Sequence, residues 1–359
     1  MKLFDNELGA YYSKNEQARA DFVNELIAHK KQRDLIDRVV YFCPKKFGCD
    51  IKNRLEHEVH MFFYEGIEET NEPYELANDR TLLILDGSSR YKNIGTRKFQ
   101  RLSRLSRGFK HKFLVDQVPF SSDTKYIYLP YAYLSRDILG HQHFYAFREN
   151  NQELFNGKLV GGLDHELLAH KIKDYAVIDY KYFLNTNPET IEVDLTPSEK
   201  HEYDIRREQL FQKYDRFNPI VTRLADYSNT RESVYNKLEK LLKNIEGKTL
   251  LYTNIKSHNK RLRKRFPDYE TYTFYDTNGA EKEADNIVLC EVPISRGYLF
   301  LDVLTRLKPS CNIFFLKPKT SVINYLYQQM TNEFNQIHDF TQKLWEVQKN
   351  EGTRKKSIS

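Results

Sequence analysis

Residues Leu82–Asn93 read LLILDGSSRYKN, an apolar run that ends on Asp86. A carboxylate at the end of a buried strand is placed to hold a hydrated Mg²⁺ against a phosphate. Splitting a phosphoanhydride there needs a general base to activate water, typically worth ~10²–10⁴ in rate. The next residue is Gly87, which has no side chain for that task. The other role open to Asp86 is to cap the turn after the strand. A phosphate site also needs a backbone cradle, a lysine on the β/γ-phosphates and a hydroxyl on the metal. Ahead of the first helical pattern the chain reads Gly9-Ala-Tyr-Tyr-Ser-Lys14-Asn15. Lys14 can stand for the phosphate lysine. The glycine expected before it is Ser13, and the hydroxyl expected after it is Asn15. Tyr11 and Tyr12 bring bulk where only glycine lets backbone approach a phosphate closely.

Charge is the strongest positive signal. Arg97, Lys98, Arg101, Arg104, Arg107, Lys110 and Lys112 follow one another with no acidic residue between them. Arg97, Arg101 and Arg104 share a helical face by their spacing, while Phe99 and Leu102 turn inward. Neutralising nucleic-acid phosphates needs such clustering; a solvated helix face is the plainer reading. Lys256, Lys260, Arg261, Arg263, Lys264 and Arg265 form a second cluster. His141, His143, His165 and His170 follow no zinc spacing, and no metal site is expected. Asp179-x-Lys181 lacks upstream carboxylates for a nuclease site and reads as linker. Tyr325, Tyr327, Phe334, Phe340 and Trp345 read as a helix face packed on the second lobe, or as a partner surface where exposed.

An alternating α/β scaffold must position these groups. Residues 15–36 pattern as a helix, with Ala18, Phe22, Leu26 and Ile27 on one face. Arg38–Pro44, Val59–Tyr64, Thr81–Asp86 and Phe113–Val115 read as strands. Thr81–Asp86 is apolar up to its final aspartate, as buried parallel strands are. From about Tyr131 to Arg231 the pattern is mostly helical, with one extended segment at Ile191–Leu195. Thr196-Pro197-Ser198-Glu199 opens a helix with Thr at the N-cap, Pro at N1 and Glu at N3. Strands at Lys248–Thr253, Asn286–Cys290 and Cys311–Leu316 then alternate with a basic helix, Ser257–Phe266. Ser321–Gln348 is a long helix, followed by a charged, frayed tail.

At 359 residues the chain predicts two or three domains. Charged residues at 30% and aromatics at 14% exclude a disordered chain. The net charge of +6 is too mild to demand nucleic acid by itself. Cys43, Cys49, Cys290 and Cys311 show no CxxC spacing, which fits a reduced cytoplasm. The N-terminus lacks the apolar core of a signal peptide. No apolar run approaches the roughly 18 residues of a membrane span.

In this layout the order of motifs resembles helicase superfamily two, in its SWI/SNF-like branch, over nearly the whole chain. Val39–Phe47 (VVYFCPKKF) is similar to the strand-then-proline motif after the phosphate loop. LLILDGSSRYKN stands where the family has a DEAH-type box, and Lys92-Asn93 match its lysine-asparagine pair. Phe113–Phe120 (FLVDQVPF) takes the place of an LTGTP motif and keeps only Pro119. Ile138-Leu139-Gly140 with Phe144 resembles the segment after the first lobe. Asp179-Tyr180-Lys181 and Val193–Tyr203 resemble the linker toward the second lobe. The strand and helix from Lys248 resemble the start of that lobe, and Ile287–Phe300 its glycine-bearing motif with Gly297.

The resemblance implies an α/β fold of two RecA-like parallel-sheet lobes with a mainly helical insertion between them. The expected division is 1–130 for the first lobe, 131–230 for the insertion and linker, 231–348 for the second lobe and 349–359 for the tail. The family's Q-x-x-x-R-x-x-R run falls on Gln329, Glu333 and Gln336, so both finger arginines are replaced. Losing such a finger typically costs ~10³–10⁵ in rate. Lys14, Asp86 and Gly297 are thus a vestigial nucleotide pocket, with no catalytic residue and no cofactor expected. The main reading is a pseudo-ATPase that binds DNA or a protein partner, of phage or mobile-element type. Arg97, Lys98, Arg101, Arg104, Arg107, Lys110, Lys112, Lys260, Arg261 and Lys264 would meet nucleic acid or an acidic partner. The alternatives are a divergent, working DNA translocase, for which ATP and Mg²⁺ would be needed, and a protein–protein inhibitor or scaffold.

Overall fold

Two parallel sheets organise the chain. The computed structural model describes residues 2–13, 15–45, 48–90, 95–120, 124–155, 158–179, 189–253, 256–273, 284–291 and 311–356. The strands are β1 (Leu8–Tyr12), β2 (Arg38–Cys43), β3 (His60–Phe63), β4 (Thr81–Asp86), β5 (His111–Asp116), β6 (Gln152–Phe155), β7 (Lys158–Leu163), β8 (Ala176–Ile178), β9 (Glu189–Val193), β10 (Thr249–Tyr252), β11 (Glu270–Tyr272), β12 (Asn286–Leu289) and β13 (Asn312–Pro318). The helices are α1 (Glu16–Gln32), α2 (Gly48–Lys52), α3 (Glu72–Glu75), α4 (Arg97–Leu105), α5 (Tyr128–Leu134), α6 (Phe144–Asn151), α7 (His165–Ile172), α8 (Pro197–Lys213), α9 (Phe217–Asn229), α10 (Glu232–Asn244), α11 (Lys256–Arg265) and α12 (Ser321–Lys356).

The chain divides into two compact units. Unit 1 holds residues 1–183 and 335–359, and unit 2 holds residues 184–334. The six-stranded sheet of unit 1 runs β3-β2-β4-β5-β1-β8 with every pairing parallel. The sheet of unit 2 runs β11-β10-β12-β13-β9, again parallel. In chain order, α8, α9 and α10 lie between β8, the last strand of the first sheet, and β10, while α7 precedes β8.

Strand β4 is buried at all its positions, as a central strand covered on both faces must be. Alternation sets the faces. Val39, Tyr41, Leu82, Ile84, Phe113 and Val115 share one core with Phe22, Val23, Leu26 and Ile27 of α1. In unit 2, Leu250, Tyr252, Ile287, Leu289, Ile313 and Phe315 pack against Ile220, Leu224, Ile323 and Leu326.

Several elements differ from the expectation: β6, β7 and β8 lie in the stretch expected to hold one extended segment, β11 lies where no strand was expected, and two further differences bear on the site. Gly9–Tyr12 is strand β1, not loop. Its five residues pair with β5 on one side, and Ala10–Tyr12 pair with β8 on the other. The helix from Ser321 does not pack on the second lobe alone. Ile337, Phe340, Leu344 and Val347 are buried at helical spacing and belong to unit 1. There Phe340 meets Phe120 and His165, and Gln348 Nε2 donates to the Lys173 and Ala176 carbonyls at 3.2 and 2.6 Å.

Helix α8 starts as its sequence predicts. Thr196 Oγ1 accepts from Glu199 N at 3.2 Å, and Glu199 Oε2 accepts from Thr196 N at 2.9 Å. Glu199 also accepts from Ser233 N at 3.1 Å through Oε1, tying α8 to α10. Thr196→Ala should therefore lower stability by about 1 kcal/mol, read as a fall in the urea midpoint of unit 2, while Thr196→Ser should restore most of it.

Candidate functional site

Open parallel sheets bind ligands at the carboxyl ends of their strands. In unit 1 that edge carries, in strand order, Asp86 after β4, Asp116 after β5, Ser13 after β1 and Asp179 after β8. The connection from β1 to α1 is only Ser13, Lys14 and Asn15. A phosphate cradle of the GxxxxGK type needs a longer glycine-bearing loop. Gly9 does other work: a Cβ on it would overlap the Phe113 ring across the sheet.

Internal hydrogen bonds occupy the turn. Ser13 N donates to the Asp116 carbonyl at 3.1 Å, and Ser13 Oγ donates to Asp179 Oδ2 at 3.2 Å. Asn15 N donates back to Ser13 Oγ at 3.2 Å, and Asn15 Oδ1 caps α1 by accepting from Ala18 N at 3.0 Å. Arg19, buried on α1, donates to the Ser13 carbonyl at 2.7 Å. Ser13 and Asn15, the described residues of this connection, are thus spent on the fold. Lys14 lies outside the described residues, as do Lys92, Asn93, Lys181 and Gly297.

The tyrosines expected to crowd this loop point into the sheet instead. Tyr11 stacks on Phe22 with ring centroids 4.2 Å apart. Its phenol is pushed up to about 12, first by burial and then by the Asp179 charge. Tyr12 leaves by the opposite face and donates to the Tyr131 hydroxyl at 3.1 Å.

Asp86 is 7% exposed and accepts from the Tyr41 hydroxyl at 2.7 Å. Both lie on the face that α1 covers, because they alternate in step with Val39 and Ile84. Burial, and next the Asp86 charge, holds the Tyr41 phenol well above its ordinary range. Tyr41 therefore stays a donor to the carboxylate at neutral pH. Gly87 follows with φ +71° and donates to the Val115 carbonyl at 3.0 Å. That left-handed backbone is the province of glycine. Asp116, 3% exposed, accepts from Ser89 N at 2.9 Å and from Gln117 N at 2.8 Å. Among the described residues no group of three His, Cys, Asp or Glu could hold a metal.

Sequence reasoning missed Arg19, Tyr41 and Asp116, and read Asp179 as linker. Strand alternation could have found Tyr41, and the polar residue at each strand end could have found Asp116. Asp179 needed the knowledge that β8 pairs with β1. In unit 2 the carboxyl ends of β10 and β12 hold a buried knot also unforeseen. Thr253 Oγ1 donates to Glu291 Oε2 at 2.7 Å, and His258 Nδ1 lies 3.2 Å from the same oxygen.

The expected basic residues separate by role. Lys112 is half-buried on β5, where burial lowers its pKa. Lys110 pairs with Glu7 at 3.0 Å, and Lys98 donates to the Glu65 carbonyl at 3.2 Å. Arg101 donates to the Glu68 and Thr70 carbonyls at 3.1 and 2.8 Å and lies over the Tyr74 ring. Arg97, Arg104 and Arg107 are exposed. Arg97, Gln100, Arg101 and Arg104 line an open groove of about 370 Å³ with Asn71 and Tyr74. Lys260, Arg261 and Lys264 are exposed on α11, within unit 2. Glu333 and Gln336 lie on α12, and Gln329 donates to the Tyr325 hydroxyl at 2.6 Å.

No protein-family model and no curated protein sequence matches this chain. Its structure is similar to the Sulfolobus solfataricus SWI2/SNF2 ATPase core in complex with double-stranded DNA, at 12% identity and a TM-score of 0.44, over 94% of this chain and 90% of that one. It is similar to the same core without DNA in its description, at 13% identity and a TM-score of 0.43, over 90% and 84%. It is also similar to the Pyrococcus furiosus Hef helicase domain, at 11% identity and a TM-score of 0.48, over 90% and 95%. Among the described residues no helix is long and apolar enough to cross a membrane.

The seam makes two predictions. Tyr41→Phe should cost about 1.5–3 kcal/mol, as expected for a hydrogen bond to a charged group, and a double-mutant cycle with Asp86→Asn should return a coupling of at least about 1 kcal/mol in urea unfolding. Gly87→Glu, which restores the missing carboxylate, should cost about 1–2 kcal/mol for its left-handed backbone and yield no phosphate release from ATP in a colorimetric assay.

Proposed function

We propose that this chain is a helicase-like, two-lobed nucleic-acid-binding protein that does not hydrolyse ATP. The reading rests on the short connection from β1 to α1, in which Ser13 is hydrogen-bonded through its amide to Asp116, through its hydroxyl to Asp179 and through its carbonyl to Arg19. A cradle, a general base and a finger arginine would each have to be rebuilt for a working translocase, so the motor alternative is disfavoured. Its compact form with altered motifs is the basis for reading it as a phage or mobile-element protein, and its four cysteines without CxxC spacing are the basis for a reduced cytoplasmic setting.

The arginine groove supports nucleic acid as the partner. Arg101 is held by backbone carbonyls and braces the floor, which leaves Arg97 and Arg104 exposed for phosphates. Two such contacts contribute about −1.8 to the slope of log K against log salt concentration. Fluorescence anisotropy with a labelled DNA duplex should therefore show salt-dependent binding. Arg97→Glu with Arg104→Glu should weaken it and flatten the slope by about that amount. Adding ATP and Mg²⁺ should leave the affinity unchanged. Binding that ignores both reversals would point to the scaffold reading instead.

A further inference from the structure

The open edge of the first sheet has a chemistry opposite to that of the arginine groove. Among the described residues β3 ends the strand order and pairs only with β2. Beside it runs a groove of about 480 Å³ lined by Met61, Phe62 and Phe63. Successive strand residues point to opposite faces. A groove touched by three in a row therefore follows the strand's free edge, not one face of the sheet. The same alternation is visible in the packing, where Phe62 stacks on Phe42 while Met61 and Phe63 join the core on the α1 side. The edge thus offers backbone N–H and C=O groups between apolar walls.

The rim is acidic. Glu65, Glu69 and Glu72 line the groove, with Lys45 as the one cation among its lining residues. The Glu65 carboxylate accepts from Lys45 N at 2.9 Å, and Glu69 and Glu72 are exposed. From Leu55 to Asp79 the chain has seven glutamates and no lysine or arginine, against a net charge of +6 overall. Such a surface repels nucleic-acid phosphates.

We propose that the edge of β3 is a docking strand for an extended, lysine- or arginine-bearing segment of a partner protein. The segment adds a strand by main-chain hydrogen bonds, and its basic side chains meet Glu69 and Glu72. This surface is independent of the nucleic-acid reading. The competing role for these charges is to guard the edge against pairing, and the two roles predict different results.

The probe is a fluorescent nonapeptide of alternating lysine and valine, titrated with the full chain and followed by anisotropy. Saturable binding is expected, with slowed amide exchange at His60–Phe63. N-methylation of alternate peptide amides should abolish binding, because it removes the ladder donors and leaves the charge. A glutamate–valine peptide should not bind. Glu69→Lys with Glu72→Lys should weaken the lysine peptide about tenfold while leaving the melting temperature unchanged, since both sites are exposed. The proposal is overturned by an absence of saturable binding, by equal binding of the N-methylated peptide, or by unchanged exchange at β3.

Discussion

Everything at the edge of the first sheet follows from the shortness of the turn between β1 and α1. β1 is the only strand of that sheet between β5 and β8, so its end is held from both sides. α1 must begin within three residues to lay Phe22, Val23, Leu26 and Ile27 on the core. The chain meets this constraint by turning on Ser13 and Asn15. Ser13 thus bonds through its amide, hydroxyl and carbonyl to the fold itself: the amide goes to Asp116, the hydroxyl to Asp179 and the carbonyl to Arg19.

The next strand end repeats the logic. Asp86 takes a phenol donor from Tyr41 inside the covered face, and Gly87 turns the chain through a left-handed backbone. The residue after Asp86 is therefore the one that the turn geometry demands. Asp116 then fastens the β4 turn through Ser89. Asp116 and Ser13 thus bond to neighbouring strand ends, while Asp86 turns to Tyr41 within β2.

The parts of this fold written in local signals were legible. The apolar run of β4, the proline after β2 and the capping box at Thr196 each fold as their own residues dictate. The parts set by distant pairing were not. β8 is a short strand whose partner lies far away in sequence, so no local period announces it; β9 overlaps the extended segment expected at Ile191–Leu195, but its pairing with β13 has no local signal. β1 was hidden for a different reason: Gly9–Asn15 stands where the resemblance puts a phosphate loop, so Tyr11 and Tyr12 read as bulk in that loop and not as alternating positions of a strand. The long C-terminal helix looked like one packing face, yet its apolar residues after Phe334 serve unit 1. At the site, Asp86 and the basic helix were visible, but Arg19 and Asp179 acquire meaning only once α1 and β8 are in place.

The most direct measurement is isothermal titration of the full chain with ATP and Mg²⁺, with phosphate release followed in the same samples in the presence of duplex DNA. The account predicts no saturable heat and no release above the protein-free rate. Saturable binding that is lost in Asp86→Asn or Lys14→Ala, with DNA-stimulated release in the parent chain, would contradict it.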